Sequence, residues 1–357
     1  MGPGSTIRVA GFRASLLLAV LAVSLALSPP ALAADPSATA RTALIGLLNT
    51  VPPAPQSSFA TLDNTGMPVG TIKIITNPAG AGYIGVYHVN DASGTFYVRV
   101  GTSIDLTHWT YAATLASNAS QPTIAATSNG GFLVALEKYT PSFLGLTAAS
   151  SNVEFRFYAS YSNLLAAHAA QTFDAGRSLA SSFEGTPSIR SVAVGPPSPG
   201  LLGLFPGAPM SNSTIQVGFH YLNSSNLDRQ ATGTLTNFSG WSEQANPALD
   251  AAFGSTFKGN VGGRDYLSFE GYPFTVVEAQ STRNDFGSWR VYLYDETAGL
   301  LTKLAPVTPG GSLSFGNPKV TLLTDPSGRQ ALLTSLFVFG IHNGPGEAGP
   351  LIYYNEL

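Results

Sequence analysis

A short motif recurs along this chain ahead of an apolar strand, and its spacing limits the available folds more than any other feature. Ser120-Gln121-Pro122-Thr123-Ile124, Gly185-Thr186-Pro187-Ser188-Ile189 and Gly316-Asn317-Pro318-Lys319-Val320 carry it. The step from Pro187 to Pro318 is about twice that from Pro122 to Pro187, so a unit lies between them. Two weaker copies complete the series: Val69-Gly70-Thr71-Ile72-Lys73-Ile74 ahead of Tyr83, and Gly263-Arg264-Asp265-Tyr266-Leu267 ahead of Phe274. Repeats of this length, each built from a few short strands, are the signature of a β-propeller, whose radial arrangement leaves only short edges. The rhythm therefore predicts an all-β fold, a five-bladed β-propeller over residues 57–357. A β-sandwich with chance similarities is the alternative, and it would scatter the motif residues.

The segments between the motifs support the strand reading. Tyr83-Ile84-Gly85-Val86-Tyr87-His88-Val89, Val153-Glu154-Phe155-Arg156-Phe157-Tyr158 and Trp289-Arg290-Val291-Tyr292-Leu293-Tyr294 are short runs rich in aromatic and β-branched residues, and Gly, Asn, Asp and Ser clusters separate such runs. Residues 34–56 read as a short N-terminal helix over Ser37 to Asn49 and a linker, because Pro52-Pro53 cannot continue a helix. Beyond Ser57 only Asn163 to Gln171 has a helical period.

Ahead of that helix, Arg8 and Arg13 precede the apolar run Ser15 to Leu27, and Pro29-Pro30 and Ala31-Leu32-Ala33 follow it. Basic, then apolar, then A-x-A is the order of an export signal, and the run is shorter than the roughly 20 residues of a spanning helix. Residues 1–33 are expected to be a signal peptide cleaved after Ala33, leaving a secreted protein; an uncleaved anchor is the alternative. The chain has no Cys, which removes disulfides, thiolate metal sites and cysteine nucleophiles. Charged residues make up 10%, against about 25% in an average domain, and the net charge is −3, so there is no basic surplus for nucleic acid. No nucleic-acid partner, no membrane partner and a monomeric state are expected.

Two segments resemble a known family. Ser103-Ile104-Asp105-Leu106-Thr107-His108-Trp109 resembles the S-x-D-L-x-x-W segment in the first blade of five-bladed propeller glycoside hydrolases of the family 43, 62 and 32 type. Phe183-Glu184-Gly185-Thr186-Pro187 is similar to the E-G-P segment that carries the general acid in the third blade of family 43. The resemblance implies polysaccharide hydrolysis of the arabinan or xylan type, by two carboxyl groups across the glycosidic bond, about 6.5–9.5 Å apart in the inverting case. It assigns Glu184 as the acid. The family also has an Asp base in blade one and a second Asp in blade two; here those positions read Val69-Gly70-Thr71 and Ser120-Gln121-Pro122, with no carboxylate.

The replacement candidates lie in blade four, where Gly262-Gly263-Arg264-Asp265-Tyr266 and Glu270-Gly271-Tyr272 concentrate charge in a chain poor in it. Asp265 is expected as base or tuner of the acid, or as the partner of Arg264 or a turn. Expected substrate-binding residues are Arg264, Glu270, Gln121, Asn317, His220 and Tyr272, since sugars need directional polar partners and flat apolar faces. His88, His168 and His342 are too scattered to make a metal site, and no cofactor is expected; an axial Ca²⁺ or water has no sequence signature. Asn284-Asp285-Phe286-Gly287-Ser288-Trp289 is one residue short of a sialidase Asp box, and no G-x-S-x-G elbow exists. Two functions stay open: a glycoside hydrolase, or a non-catalytic carbohydrate-binding or surface-interaction propeller that lacks the base.

Overall fold

The repeats build five four-stranded antiparallel sheets. The computed structural model describes residues 1–2, 35–141, 148–196, 208–255 and 257–357, so nearly all of the expected signal peptide, 1–33, lies outside the described residues. Helix α1 (Ala38–Asn49) and strand β1 (Ser57–Phe59) come first. Blade I is β2 (Gly70–Thr76), β3 (Tyr83–Asn90), β4 (Phe96–Ser103) and β5 (Thr110–Ser117). Blade II is β6 (Ala119–Ala126), β7 (Phe132–Pro141), β8 (Ala148–Tyr158) and β9 (Gln171–Asp174), with helix α2 (Tyr161–Leu165) before its last strand. Blade III is β10 (Glu184–Val194), β11 (Ser213–Leu222), β12 (Asp228–Thr236) and β13 (Gly240–Ala245), followed by helix α3 (Pro247–Ala252). Blade IV is β14 (Asn260–Phe269), β15 (Tyr272–Gln280), β16 (Trp289–Asp295) and β17 (Leu300–Lys303). Blade V is β18 (Phe315–Thr324), β19 (Gln330–Val338) and β20 (Gly349–Glu356), and β1 supplies its outer strand.

Closure is direct. The inner strands β2, β6, β10, β14 and β18 touch in sequence and β18 returns to β2. Strand β1 pairs with β20, Ser57 opposite Tyr353 and Phe59 opposite Leu351, so the N-terminal segment zips the last blade shut. Helix α1 reinforces the seam: Leu44 and Leu48 are buried, the Tyr353 hydroxyl donates to the Leu48 carbonyl, and Ser37 Oγ and Arg41 both bond Asp295 of blade IV. The two short helices differ from expectation. Helix α2 is nucleated by Ser160, whose side chain accepts from the Asn163 amide, and it stops before β9. Helix α3 starts on Asn246 as cap with Pro247 in its first turn, a local signal that outweighs the lack of apolar period.

The core lies between blades. Leu133, Phe155 and Phe157 of blade II meet Val217, Phe219 and Ala231 of blade III. Trp241 lies over Phe155 and Phe219 with ring centroids 5.6 and 6.0 Å away, and a Cβ on Gly233 would stand 2.0 Å from its ring. Trp109 is likewise buried, its indole donating to the Leu106 carbonyl.

The sequence motif turns out to encode a β-bulge. Each inner strand shifts register near its start, between Gly70 and Lys73, Ser120 and Thr123, Gly185 and Ser188, Val261 and Arg264, and Gly316 and Lys319, and β10 shifts again between Ile189 and Ser191. The first bulged residue is left-handed in four blades: Thr71 at φ 52°, Gln121 at 51°, Thr186 at 52° and Asn317 at 50°. A bulge takes its amide out of the ladder, and a buried amide must find another acceptor. The preceding blade supplies it. The Gln121 amide donates to His88 Nδ1, the Thr186 amide to Glu137 Oε2 at 3.1 Å, and the Asn317 amide to Glu278 Oε2 at 2.5 Å. These side chains staple neighbouring blades around the mouth of the central channel.

Candidate functional site: the channel mouth

The bulged ends of the inner strands surround the channel mouth, and a cavity of about 460 Å³ opens there between blades I, II and V. Gln121 and Asn317, both expected from the sequence, line it from their left-handed bulges. His88 and Asn90 of β3 add polar groups, and Phe96, Tyr139, Phe337 and Phe339 add aromatic faces. His88 stands edge-on to Phe96 at 5.3 Å, Phe96 is 6.2 Å from Tyr139, and the Tyr139 hydroxyl pairs with Ser120 Oγ at 2.7 Å. Burial, helped by Lys319, lowers His88 to about 4, so the imidazole is neutral. Among the described residues no Asp, Glu, Lys or Arg lines this cavity. It is a neutral, aromatic pocket with amide and imidazole groups at its rim, the composition suited to sugar rings.

The second-strand residues were missed by sequence reasoning, although a signal was present. Gly70 pairs with His88, Ser120 with Glu137 and Gly316 with Phe337, so stepping from each motif to the facing strand identifies them.

Acidic groups lie behind the mouth in two networks. In one, Thr186 Oγ1 bonds Glu137 Oε2 at 3.2 Å and His220 Nε2 at 2.9 Å, while His220 faces Asp228 at 3.2 Å. Burial opposes the charged ring, but Asp228, with Glu137 and Glu278 behind it, raises His220 to about 9, so it is a cation at neutral pH. Glu278 accepts the Gly263 and Asn317 amides, and burial keeps its pKa above the usual carboxylate value. In the other, Asp265 crosses the propeller axis: Lys73 Nζ donates to it at 2.6 Å, Ser188 Oγ at 2.6 Å and the Val320 amide at 2.8 Å. Burial works against its charge, yet Lys73 and Lys319 hold its pKa below the usual range. Lys319 is buried without a hydrogen bond of its own among the described residues, and burial lowers it to about 8.

Glu184 lies elsewhere. Side chains alternate along a strand, so Glu184 points away from the side taken by Gly185, against which Glu137 rests. Its carboxyl is buried and accepts the Leu179 and Ala180 amides of the loop entering blade III. Burial, with Glu243 alongside, raises it from 4.5 to about 7. A raised carboxyl stabilises the fold fully below pH 4.5 and loses that contribution as pH climbs through about 7. Thermal melts are therefore expected to show the melting temperature falling between pH 5 and pH 8. Glu184→Gln should flatten that slope, and an unchanged slope would remove Glu184 as its source.

Arg264 is fully buried between blades III and IV; it donates to the Ala231 carbonyl, with its guanidinium 5.3 Å from the Tyr266 ring. Glu270 is exposed in the hairpin turn between β14 and β15, and Tyr272 packs beside it against the α1 cluster. Both sit at the end of blade IV opposite the bulge. The structure thus gathers Gln121 and Asn317 in one pocket, puts His220 close behind, and leaves Glu184, Asp265, Arg264, Glu270 and Tyr272 outside its lining. The Ser103–Trp109 segment is a turn between β4 and β5, in which Asp105 accepts the Thr107 and His108 amides. Among the described residues no three His, Asp or Glu converge as a metal site.

Fold and site together define a five-bladed β-propeller with an uncharged, aromatic channel mouth. The chain is similar to a thermostable family-43 glycoside hydrolase, at 9% identity and TM-score 0.51, over 84% of this chain and 93% of that one. It is also similar to a second structure described as a glycoside hydrolase, at 10% identity and TM-score 0.53, over 90% and 95%. At these identities the likeness is one of fold. No protein-family model matches the chain, and no curated protein matches it significantly.

Proposed function

We propose that this propeller binds a neutral glycan at the channel mouth without cleaving it. The observation that carries the reading is the composition of the mouth: aromatic rings and amides with no carboxyl group among the described residues, whereas glycoside hydrolysis needs two carboxyls flanking the bond. Asp265 is committed to Lys73, Ser188 and Val320, and Glu184 to the Leu179 and Ala180 amides. Export by way of residues 1–33 belongs to the same proposal, because polymeric glycans are met outside the cell.

Affinity electrophoresis against arabinan, xylan and galactan, run beside a reducing-sugar assay, tests it. Retardation by at least one glycan without sugar release is expected; retardation by none overturns it. A second reading, hydrolysis with Glu184 as acid and Asp265 as base, is favoured by the Glu184 carboxyl, which near pH 7 still holds a transferable proton. Sugar release that disappears in Glu184→Gln would establish that reading instead.

A further inference from the structure

The mouth pocket does not end at blade V. Phe337 and Phe339, which line it, stand 5.4 Å apart, and Phe339 is in turn 5.6 Å from Phe286 and stacked on Trp289 at 6.2 Å with 23° between the ring planes. Phe286 belongs to the turn between β15 and β16, so the ring contacts cross from blade V to blade IV. This outer part of the strip faces solvent: Phe286 is 53% exposed, and Ile341 of the β19–β20 connection, 47% exposed, packs against the same turn at Gly287. A soluble surface rarely sets large apolar side chains in a continuous row unless something covers them.

We propose that the strip Phe337–Phe339–Phe286 is an extended subsite that takes successive sugar units of a neutral, linear glycan whose end occupies the mouth pocket. The inference rests on the glycan-binding reading above and deepens it by naming the ligand class: a chain, rather than a mono- or disaccharide. Continuity argues for this occupant, because the strip starts from two residues of the pocket and has no gap before Phe286. Charge argues the same way, since the strip residues are uncharged and aromatic faces match the C–H faces of neutral sugar rings. Phe286 is anchored through its carbonyl, which accepts from Ser314 Oγ, and through its contact with Phe339, while about half of the residue stays open to solvent.

Isothermal titration with linear arabino- and xylo-oligosaccharides of two to six units is the test. The wild-type affinity is expected to rise by about tenfold or more from dimer to hexamer for the preferred series, the equivalent of one stacked ring. In Phe286→Ala most of that rise should vanish while the dimer affinity stays within about twofold, and Phe286→Tyr, which keeps the flat face, should restore it. A length dependence that persists unchanged in Phe286→Ala overturns the strip and leaves pocket binding standing. Wild-type protein that binds no oligosaccharide of either series overturns the strip, and overturns pocket binding as well when arabinan, xylan and galactan all fail to retard it.

Discussion

Asp265→Ala should lower the free energy of unfolding by about 3–5 kcal/mol, the range for breaking a buried ion pair by removing one partner. Four groups converge on this carboxylate: Lys73, Ser188 Oγ, the Val320 amide and the charge of Lys319. Without it, Lys73 keeps only the Val320 carbonyl, and Lys319 becomes a buried ammonium with no counter-charge beside it except Glu278. Urea denaturation at pH 7 measures the loss. Adding Lys73→Met should recover part of it, because an unpaired buried charge, rather than a missing contact, is the larger penalty. A loss under about 1 kcal/mol would show that the axial carboxylate is not a structural tie. The pH sign is opposite to that of Glu184: a depressed carboxyl stabilises the fold above its unfolded value of 3.8 and loses that contribution as pH falls through the lower folded value.

At the mouth, Tyr139→Ala is expected to weaken glycan binding by about tenfold or more, since a central aromatic is the residue type most often dominant in a binding surface. The ring lies beside Phe96, and its hydroxyl is fixed by Ser120, the residue at the entry to the blade II bulge. Tyr139→Phe, which keeps the ring and loses that bond, should fall between. Titration with the glycan that retards the protein checks both, and wild-type affinity in Tyr139→Ala would remove this wall of the pocket from recognition.

Much of the architecture could be read from local pattern. The five motifs are five bulges, and a bulge leaves a readable trace because only a few residues at fixed offsets satisfy its geometry. The trace was weakest in blade IV, where Gly262 and Gly263 stand where the other blades have a left-handed residue followed by Pro or Ile. Helix α1 was legible from its Ala and Leu content and the prolines after it, whereas α3, only Pro247–Ala252, depends on one capping side chain.

The site was legible only in part. Gln121 and Asn317 follow from the motif itself. Glu184 carries the expected residue type in the expected blade, but Thr186 is the bulged residue, and Glu184, two positions earlier, has its carboxyl under the 175–183 loop. Glu137 and Glu278 look like catalytic acids by burial and position. Each nevertheless accepts the amide that the next blade's bulge has set free, a duty visible only once the blades are side by side.

The sequence by itself determined the repeat, the strand period and the scarcity of charge, because these are set by residues close together in the chain. Which side chain faces the axis, which faces a neighbouring blade and which carboxylates are spoken for was decided only by ring closure. The reason is that β-strands turn successive residues to opposite faces, so a one-residue difference in register sends an acid from the channel into a blade interface, and the partners that then fix its charge come from distant parts of the chain, as Lys73 does for Asp265 with a sequence separation of 192.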